Sequence, residues 1–309
     1  MTQQMTLSPK TWAALIVLAF IWGASFLSIR IALDEIPPLT SIAHRTFWAM
    51  LVLWGVVWAM GLPVPRDFAR WRAFLIMGLL NNAIPFGLMA WGQLYVETGL
   101  TSILNAATAV FGVLVAALFF ADERLSPRKM IGVALGFAGV ATAIGLENFR
   151  SFDLRSLAQL AILTGTMAYA LAGVWGRKTL SGLPPQVAAA GMLTGATAIT
   201  LPLAVIIDGP VQLHLTGPTV LAIGYYSIIA TAGAYLLYYY VLARAGSGNL
   251  LLVTLLIAPI AITLGALVRH ETLGPNAYLG FGILALGLAV LDGRLWAAFG
   301  KGQKHPPID

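Results

Sequence analysis

The sequence has no cysteine and very few charged residues. Without cysteine, disulfide bridges, thiolate metal ligands and a cysteine nucleophile are excluded. Charged residues make up 10% of the chain, against about 25% in soluble domains, while 59% of its 309 residues are hydrophobic. Only four histidines are present, and neither an HExxH nor a GxSxG motif occurs. We therefore expect neither a water-soluble domain nor an enzyme, and we expect no metal ion or organic cofactor.

Long apolar runs fill almost the whole chain. About 20 apolar residues cross a hydrocarbon core of about 30 Å, and runs of that length recur from end to end. The first run is too long for a signal peptide, so we interpret it as a retained first helix. The sequence predicts an all-α integral membrane protein with ten transmembrane helices. The predicted ranges are 12–33, 40–60, 73–95, 100–121, 128–146, 156–176, 186–207, 217–240, 248–269 and 275–296.

The net charge of +6 indicates topology, not a nucleic-acid partner. The basic residues lie in the loops between the helices and form no contiguous patch with interleaved aromatics. If the N-terminus is inside, most Lys and Arg residues fall on the cytoplasmic side, as the positive-inside rule requires. We predict a multi-pass protein of a bacterial inner (plasma) membrane, in contact with the lipid bilayer, with both termini cytoplasmic.

The second half of the chain repeats the first. A shift of 148 residues aligns acidic, proline and glycine positions, namely Glu123, Leu125, Pro127, Gly132, Gly139 and Gly145 with Glu271, Leu273, Pro275, Gly280, Gly287 and Gly293. We predict two repeats of five helices, residues 1–149 and 150–309. Because five is odd, the second repeat is inverted, an architecture that is typical of transporters with a central cavity. A duplication kept only for packing is the alternative.

Four segments resemble one family of membrane proteins. They are the run IWGASF around Trp22, the stretch from His44 to Phe47, and the segments FFADERLSPRKMIG and LVRHETLGPNAYLG. They resemble the drug/metabolite transporter superfamily, in its EamA-type ten-helix branch, and the first half is similar to YddG-type exporters of aromatic amino acids. The resemblance implies a ten-helix basket with a central cavity and, in most cases, efflux. The fourth helix lacks the proline common in the family, so we expect the halves to bend differently.

Polar and proline residues at mid-membrane depth are candidates for substrate contact. An amide in lipid is costly unless it is paired, so such side chains face the bundle interior. The candidates on the third and fourth helices are Asn81, Asn82, Asn105 and Thr108. Asn81 and Asn82 are about 100° apart on a helix, so we expect only one to point squarely at the cavity. Breaks in the backbone add Pro85 and Pro259 as cavity walls or hinges, with a passive kink as the alternative.

Aromatic residues supply a second group of candidates. Their rings stack on an apolar or aromatic side chain, and their hydroxyl and indole N–H groups bind polar ends. The substrate-binding candidates are Trp22, Trp91, Tyr169, Trp175, Tyr225 and Tyr235. The other tyrosines of the eighth helix fit the interfacial belt of a membrane protein.

Histidine-44 and Arg45 begin the second helix on the outer side, close to Asp34 and Glu35. We predict charges at an outer mouth, where either residue attracts a substrate carboxylate or His44 titrates during transport. A local ion pair with Asp34 or Glu35 is the alternative. Glu123 and Glu271 lie at membrane boundaries, and we expect them to cap helix starts.

No carboxylate lies near the middle of a predicted span, which argues against a buried proton relay. We predict an alternating-access exporter of small amphipathic metabolites, with amino acids, including aromatic ones, as the first choice of small-molecule substrate. Another metabolite, a drug-like solute or a channel-like pore remains an alternative. Glycine pairs such as Gly132 and Gly136 indicate close helix packing and allow a homodimer.

Overall fold

The structure is a computed structural model, and it describes residues 9–292 with the exception of 122, 124, 146–152, 211 and 213. Within the helices, the side chains of 243, 245–252 and 292 are also excluded. Residues 1–8 and 293–309 form the two ends of the chain, and they lie outside the described residues. We predicted a cytoplasmic position for both ends. Throughout the described part, the regular structure is helical.

Ten apolar helices make up the described part of the chain. They are α1 Pro9–Ala32, α2 Pro38–Ala59, α3 Phe68–Gly92, α4 Thr98–Phe119, α5 Pro127–Ile144, α6 Leu154–Thr179, α7 Pro185–Ile207, α8 Gly217–Leu242, α9 Val253–Arg269 and α10 Pro275–Asp292. Seven of these are long and apolar enough to span a membrane, α9 and α10 are shorter, and α5 begins with Arg128 and Lys129. The predicted all-α membrane fold is confirmed.

The boundary between α8 and α9 differs from the expected non-helical loop. Helical hydrogen bonding is continuous from Ala234 to Arg269, a stretch of 36 residues. Tyr238 nevertheless packs on Trp22 with ring centroids 5.9 Å apart, and Ile260 covers the adjacent Gly23. A straight helix would separate Tyr238 and Ile260 by about 33 Å. The chain therefore does not run straight between them, and both α8 and α9 pack along α1.

The packing of the helices follows the internal repeat. α2 packs against α7, and α5 packs against α10, so equivalent helices of the two halves face each other. α1 packs against α8 and α9, just as α6 packs against α3 and α4. The same contacts occur twice with the halves exchanged, which is the pattern of a pseudo-twofold axis in an inverted repeat.

Glycines allow α5 and α10 to cross at backbone contact. A Cβ atom on Gly139 would lie 2.4 Å from the backbone nitrogen of Leu284, and one on Gly280 would lie 2.3 Å from that of Ala143. Gly132 meets Leu291 in the same interface. Because lipid tails are as apolar as leucine, helices in a membrane associate through such close small-residue contacts.

Both halves contain a π-helical segment at matching depth. In α3 it runs over Leu79–Ala83, directly before Pro85, and in α8 it runs over Tyr225–Gly233. The two segments overlap when the chain is shifted by 148 residues. π-turns widen a helix and free some of its hydrogen-bonding groups, and they are frequent at functional sites.

The bends of α4 and α9 are the reverse of what proline content suggests. α4 has no proline, yet it divides at Ala106 into Thr98–Asn105 and Ala107–Phe119. α9 contains Pro259, yet helical hydrogen bonding continues through it. The halves do bend differently, but the interrupted helix is the one without proline.

Candidate functional site

Arg45 points into the bundle and does not lie at an outer mouth. It shares the buried face of α2 with Ile42, Ala49 and Leu53, and only 7% of its surface is exposed. Arg45 lies seven residues after the start of α2, which places it about 10 Å along the helix from its outer end. We predicted Arg45 near the outer end of the second span, and the rotation of the helix turns its side chain from there into the bundle.

Two contacts hold the Arg45 guanidinium. Its Nε donates to Thr231 Oγ1 of α8 at 2.9 Å. Its central carbon lies 3.8 Å from the ring centroid of Phe86 on α3, in cation–π geometry. The local ion pair that we considered for Arg45 does not form, because Asp34 pairs with Arg30 and Arg269 instead.

The π-helical segment of α8 prepares Thr231 for this contact. Thr231 Oγ1 donates to the carbonyl of Tyr226, five residues earlier, at 2.7 Å, which leaves the hydroxyl oxygen free to accept from Arg45. One turn above, the Tyr226 hydroxyl donates to the carbonyl of Ser41 at 3.2 Å and accepts from its hydroxyl at 3.1 Å. α2 and α8 are therefore joined by two consecutive polar contacts.

The π-helical segment of α3 brings two neighbouring amides to one acceptor. The side-chain nitrogens of Asn81 and Asn82 donate to the Tyr235 hydroxyl at 3.1 Å and 3.2 Å. Asn81 also contacts the sulfur of Met192 on α7 at 3.3 Å. We expected both amides to face the bundle interior and only one to point squarely at the cavity, and of the two Asn82 is completely buried while Asn81 is half-buried. The wide turn lets both amides reach the Tyr235 hydroxyl, because it reduces the angle between successive side chains.

Aromatic rings close the group on the side of α6. Phe86 packs edge-on against Tyr169 with centroids 6.4 Å apart. Pro85 packs on Gly165, which lies one turn before Tyr169 on α6. The hydroxyls of Tyr169, Tyr226 and Tyr235 lie within electrostatic range of Arg45. We call the whole group the Arg45 cluster: Arg45, Asn81, Asn82, Phe86, Tyr169, Thr231 and Tyr235.

Open space lies next to the Arg45 cluster. From Gly78 to Gln93, α3 has no exposed residue, yet Asn81, Gly87 and Trp91 are only half-buried. A Cβ atom on Gly87 would meet no atom within 4 Å, leaving the helix's own backbone aside. Gly87 follows Phe86 directly, so there is room beside α3 next to the Arg45 cluster.

The remaining aromatic candidates lie outside the Arg45 cluster. Trp22 packs on Tyr238, and the Tyr225 hydroxyl donates to a backbone carbonyl of α1 at 3.1 Å. Trp91 packs edge-on against Tyr95, three residues after the end of α3, at 5.4 Å between centroids. The indole N–H of Trp175 donates to a backbone carbonyl of α3 at 3.0 Å. Tyr225 and Trp175 therefore bond helices to each other with the groups that we expected to meet a substrate.

Three further candidates occupy other helices. Asn105 and Thr108 flank the break in α4 and are half-buried, and Thr108 Oγ1 has no hydrogen-bond partner among the described residues. Pro259 is exposed on α9, and its carbonyl accepts from Thr263 at 2.8 Å. α9 packs against α1 and α4, so the fold does not bring Pro259 to the Arg45 cluster.

His44 lies beside α8 and not in the Arg45 cluster. Its Nδ1 accepts from the indole N–H of Trp48 at 3.2 Å, while its Nε2 is buried without a partner in the described part. Together with Trp48, Ile223 and Ile228, it lines an apolar pocket of about 260 Å³ between α2 and α8.

Polar contacts join the two halves at the end where α1 ends and α2 begins, which we call the outer end. Each pairs a residue of the first half with one of the second: Asp34 with Arg269, Glu35 with Thr216, Thr40 with Asp208, Glu97 with Arg155, and Thr98 with Glu271. The Arg155–Glu97 pair is bidentate, at 2.7 Å and 3.0 Å. These five outer contacts join the two halves at that end of the bundle.

Two of the acidic residues do not cap helices as we expected. Glu271 accepts from Thr98 at 2.8 Å, and Glu123 pairs with Lys129 at 3.1 Å and with Arg177 at 3.7 Å. The cap of α5 is the Ser126 side chain, which accepts from the backbone N–H of Lys129. At the outer end, the hydroxyl and N–H of Thr216 hold the pKa of Glu35 below its ordinary value.

Sequence reasoning missed Phe86 and Thr231. Thr231 precedes Tyr235 by four residues, so the two share a helix face, and this spacing was the available signal. For Phe86 the sequence offers no signal, because an aromatic residue in an apolar helix is ordinary.

The chain matches a known protein family twice. The family described as "EamA-like transporter family" matches residues 10–145 and again residues 156–291. The uncharacterized transporter YoaV of Bacillus subtilis is 20% identical over 279 residues, which cover 90% of this chain and 95% of YoaV. The uncharacterized inner membrane transporter YedA of Escherichia coli K12 is 25% identical, with 91% and 90% covered.

Two further similarities extend over nearly the whole chain. A protein of Escherichia coli K12 named "Probable amino-acid metabolite efflux pump" is 24% identical over 299 residues, covering 92% of this chain and 95% of that protein. One solved crystal structure superposes with a TM-score of 0.67 at 20% identity, covering 94% of this chain and 99% of the other. At that identity the superposition supports the fold alone.

Proposed function

The chain belongs to the EamA-like transporter family, and from this we propose that it exports small amphipathic metabolites by alternating access, with amino acids as its main substrates. It is a multi-pass membrane transporter. The similar protein that is named an amino-acid metabolite efflux pump supports the substrate class and the direction. A bacterial inner membrane with both termini cytoplasmic fits the charge distribution.

The observation that carries this proposal is the Arg45 cluster. It places a guanidinium, two amides and several rings inside an apolar bundle, and α2 and α3 of the first half and α6 and α8 of the second contribute to it. Polar groups at this depth in a membrane protein are expensive unless they serve a substrate pathway. An amphipathic solute matches such a lining, because its charged end meets polar groups and its side chain meets rings.

The contacts between the halves support alternating access. Five outer contacts join the halves at one end, and each of them consists of groups that water can solvate when they separate. The π-helical segments of α3 and α8 contribute Asn81, Asn82 and Thr231 to the Arg45 cluster, and π-turns are frequent at functional sites. Two packings of similar halves, one open to each side, need only the exchange of these contacts.

Flux measurements on the purified protein in proteoliposomes test the proposal. We expect saturable uptake and counterflow of labelled Phe, Met and Thr, with sorbitol as a solute that is not carried. Flux that is unchanged by an imposed pH gradient indicates a facilitator, and acceleration indicates proton coupling. Non-saturable flux without counterflow would indicate a channel-like pore, and no amino-acid flux would reject the substrate class.

A further inference from the structure

The guanidinium of Arg45 has more donors than its surroundings use. Of its five N–H groups, one donates to Thr231 Oγ1, and the terminal nitrogens have no acceptor among the described residues. No described carboxylate pairs with it, since Asp34 and Glu35 are bound at the outer end. A cation that is 7% exposed in an apolar bundle and lacks a counter-ion is strongly disfavoured.

The groups that face Arg45 are neutral on every side. Tyr226 and Thr231 face it from α8, Phe86 faces it from α3, and the hydroxyls of Tyr169 and Tyr235 lie within electrostatic range. No group among the described residues therefore compensates the charge at the centre of this group. A planar guanidinium whose terminal N–H groups are not used binds a carboxylate through two parallel hydrogen bonds.

The repeat argues that packing alone does not require this cation. A shift of 147 residues, which aligns Arg30 with Arg177, places Arg45 on Met192 of α7. Met192 contacts Asn81 beside the π-helical segment of α3, much as Arg45 contacts Thr231 in the π-helical segment of α8. The corresponding contact in the other half is thus made by an uncharged side chain of similar length.

We propose that Arg45 binds the carboxylate of the transported solute, so that the substrates are organic carboxylates, with zwitterionic amino acids among them. This inference rests on the proposed transport function for its physiological meaning. Asn82 supplies a matching group for an ammonium, because its Oδ1 is buried and accepts no hydrogen bond in the described structure. The rings of Phe86 and Tyr169 line the same group and suit an apolar or aromatic side chain.

The test compares ligands that differ only in the carboxylate. Binding of phenylalanine and of phenylalaninamide is measured by tryptophan fluorescence and by thermal stabilisation of the purified protein. A charge-assisted pair predicts that phenylalanine binds about 10- to 100-fold more tightly than the amide. In Arg45→Met, which copies the residue of the other half, we expect this ratio to fall to about one. Arg72→Gln, an exposed arginine of α3, is the matched control and should keep the full ratio.

Several outcomes would overturn the inference. Equal affinity for the two ligands in the unaltered protein contradicts it, and so does a full ratio in Arg45→Met. If Arg45→Met is not monodisperse, Arg45→Gln replaces it in the test. Arg45→Lys should retain part of the preference for phenylalanine, because it keeps the charge but not the planar pair of N–H donors. An unchanged ratio in both Gln and Lys variants would also contradict it.

Binding and transport fail separately in this design. If carboxylates bind in an Arg45-dependent way but proteoliposomes show no amino-acid flux, the inference stands and the proposed function fails. If amino acids are carried and the Arg45 variants keep the preference over the amide, the proposed function stands and the inference fails.

Discussion

The hydroxyl of Tyr235 is the acceptor that joins α3 to α8 in the described part of the bundle. It accepts from Asn81 at 3.1 Å and from Asn82 at 3.2 Å. Replacing Tyr235 by Phe removes this oxygen and leaves the ring and the helix unchanged. The consequences differ for the two amides, because Asn81 retains its contact with Met192 whereas the Asn82 nitrogen loses its partner.

The size of the destabilisation by Tyr235→Phe follows from this difference between the two amides. A hydrogen bond between membrane helices contributes about 0.6 kcal/mol on average, while a buried donor left without a partner costs about 1–3 kcal/mol. Asn82 is completely buried, so the second value governs, and we expect a destabilisation of about 1–3 kcal/mol. This corresponds to a fall of about 2–6 °C in the unfolding midpoint of a chain of this size.

Thermal unfolding in detergent, followed by tryptophan fluorescence, measures this change. Tyr240→Phe is the matched control, because Tyr240 is 38% exposed and its hydroxyl makes no hydrogen bond in the described structure. The double variant of Tyr235→Phe with Asn82→Ala should be less destabilised than the sum of the single variants. A midpoint for Tyr235→Phe equal to that of Tyr240→Phe, or strict additivity with Asn82→Ala, would refute the reasoning.

Three further predictions concern the ends and the helix contacts. Asp34→Asn removes an outer contact, so a cysteine introduced at Gly87 should react faster with an impermeant maleimide added from the outer side; an unchanged rate contradicts this. Gly139→Leu forces the backbones of α5 and α10 apart, and we expect little monodisperse protein by size-exclusion chromatography, whereas Gly55→Leu, with open space around it, should be tolerated. Glu35 has a lowered pKa, so its stabilising effect is present above its ordinary value of 4.5 and is lost as the pH falls through the lowered pKa. The unfolding midpoint should therefore drop less on acidification in Glu35→Gln than in the unaltered protein.

Apolar length and repeat spacing were sufficient to predict the ten helices, but not their breaks. The ranges were predictable because lipid demands long apolar helices, and every run of that kind is visible in the sequence. The break of α4 at Ala106 has no such mark, since it arises from tertiary packing in a stretch that contains no proline. The π-helical segments were equally invisible, because Leu79–Ala83 and its counterpart in α8 have ordinary helical composition.

The candidate site was predictable in its residue types more than in its arrangement. Asn81, Asn82 and Tyr235 were identifiable because polar groups at mid-membrane depth need partners. The inward direction of the Arg45 side chain was not predictable, because it depends on which face of α2 is buried. Trp175 and Tyr225 were chosen for their chemistry, yet each donates its polar hydrogen to a neighbouring helix.

The rule that sets the topology also gives the two ends of the bundle different chemistry. Basic residues concentrate on the predicted cytoplasmic side, where the Arg70 guanidinium and the Trp175 indole donate to backbone carbonyls across the halves. The outer contacts instead depend on carboxylates, such as Asp34 and Glu97. Among these carboxylates, Glu35 has its pKa lowered by the hydroxyl and N–H of Thr216, so acid that protonates it weakens this contact between the halves. Acid on the outer side should therefore loosen the contact of Glu35 with Thr216, and it should shift the protein toward the conformation that opens outward.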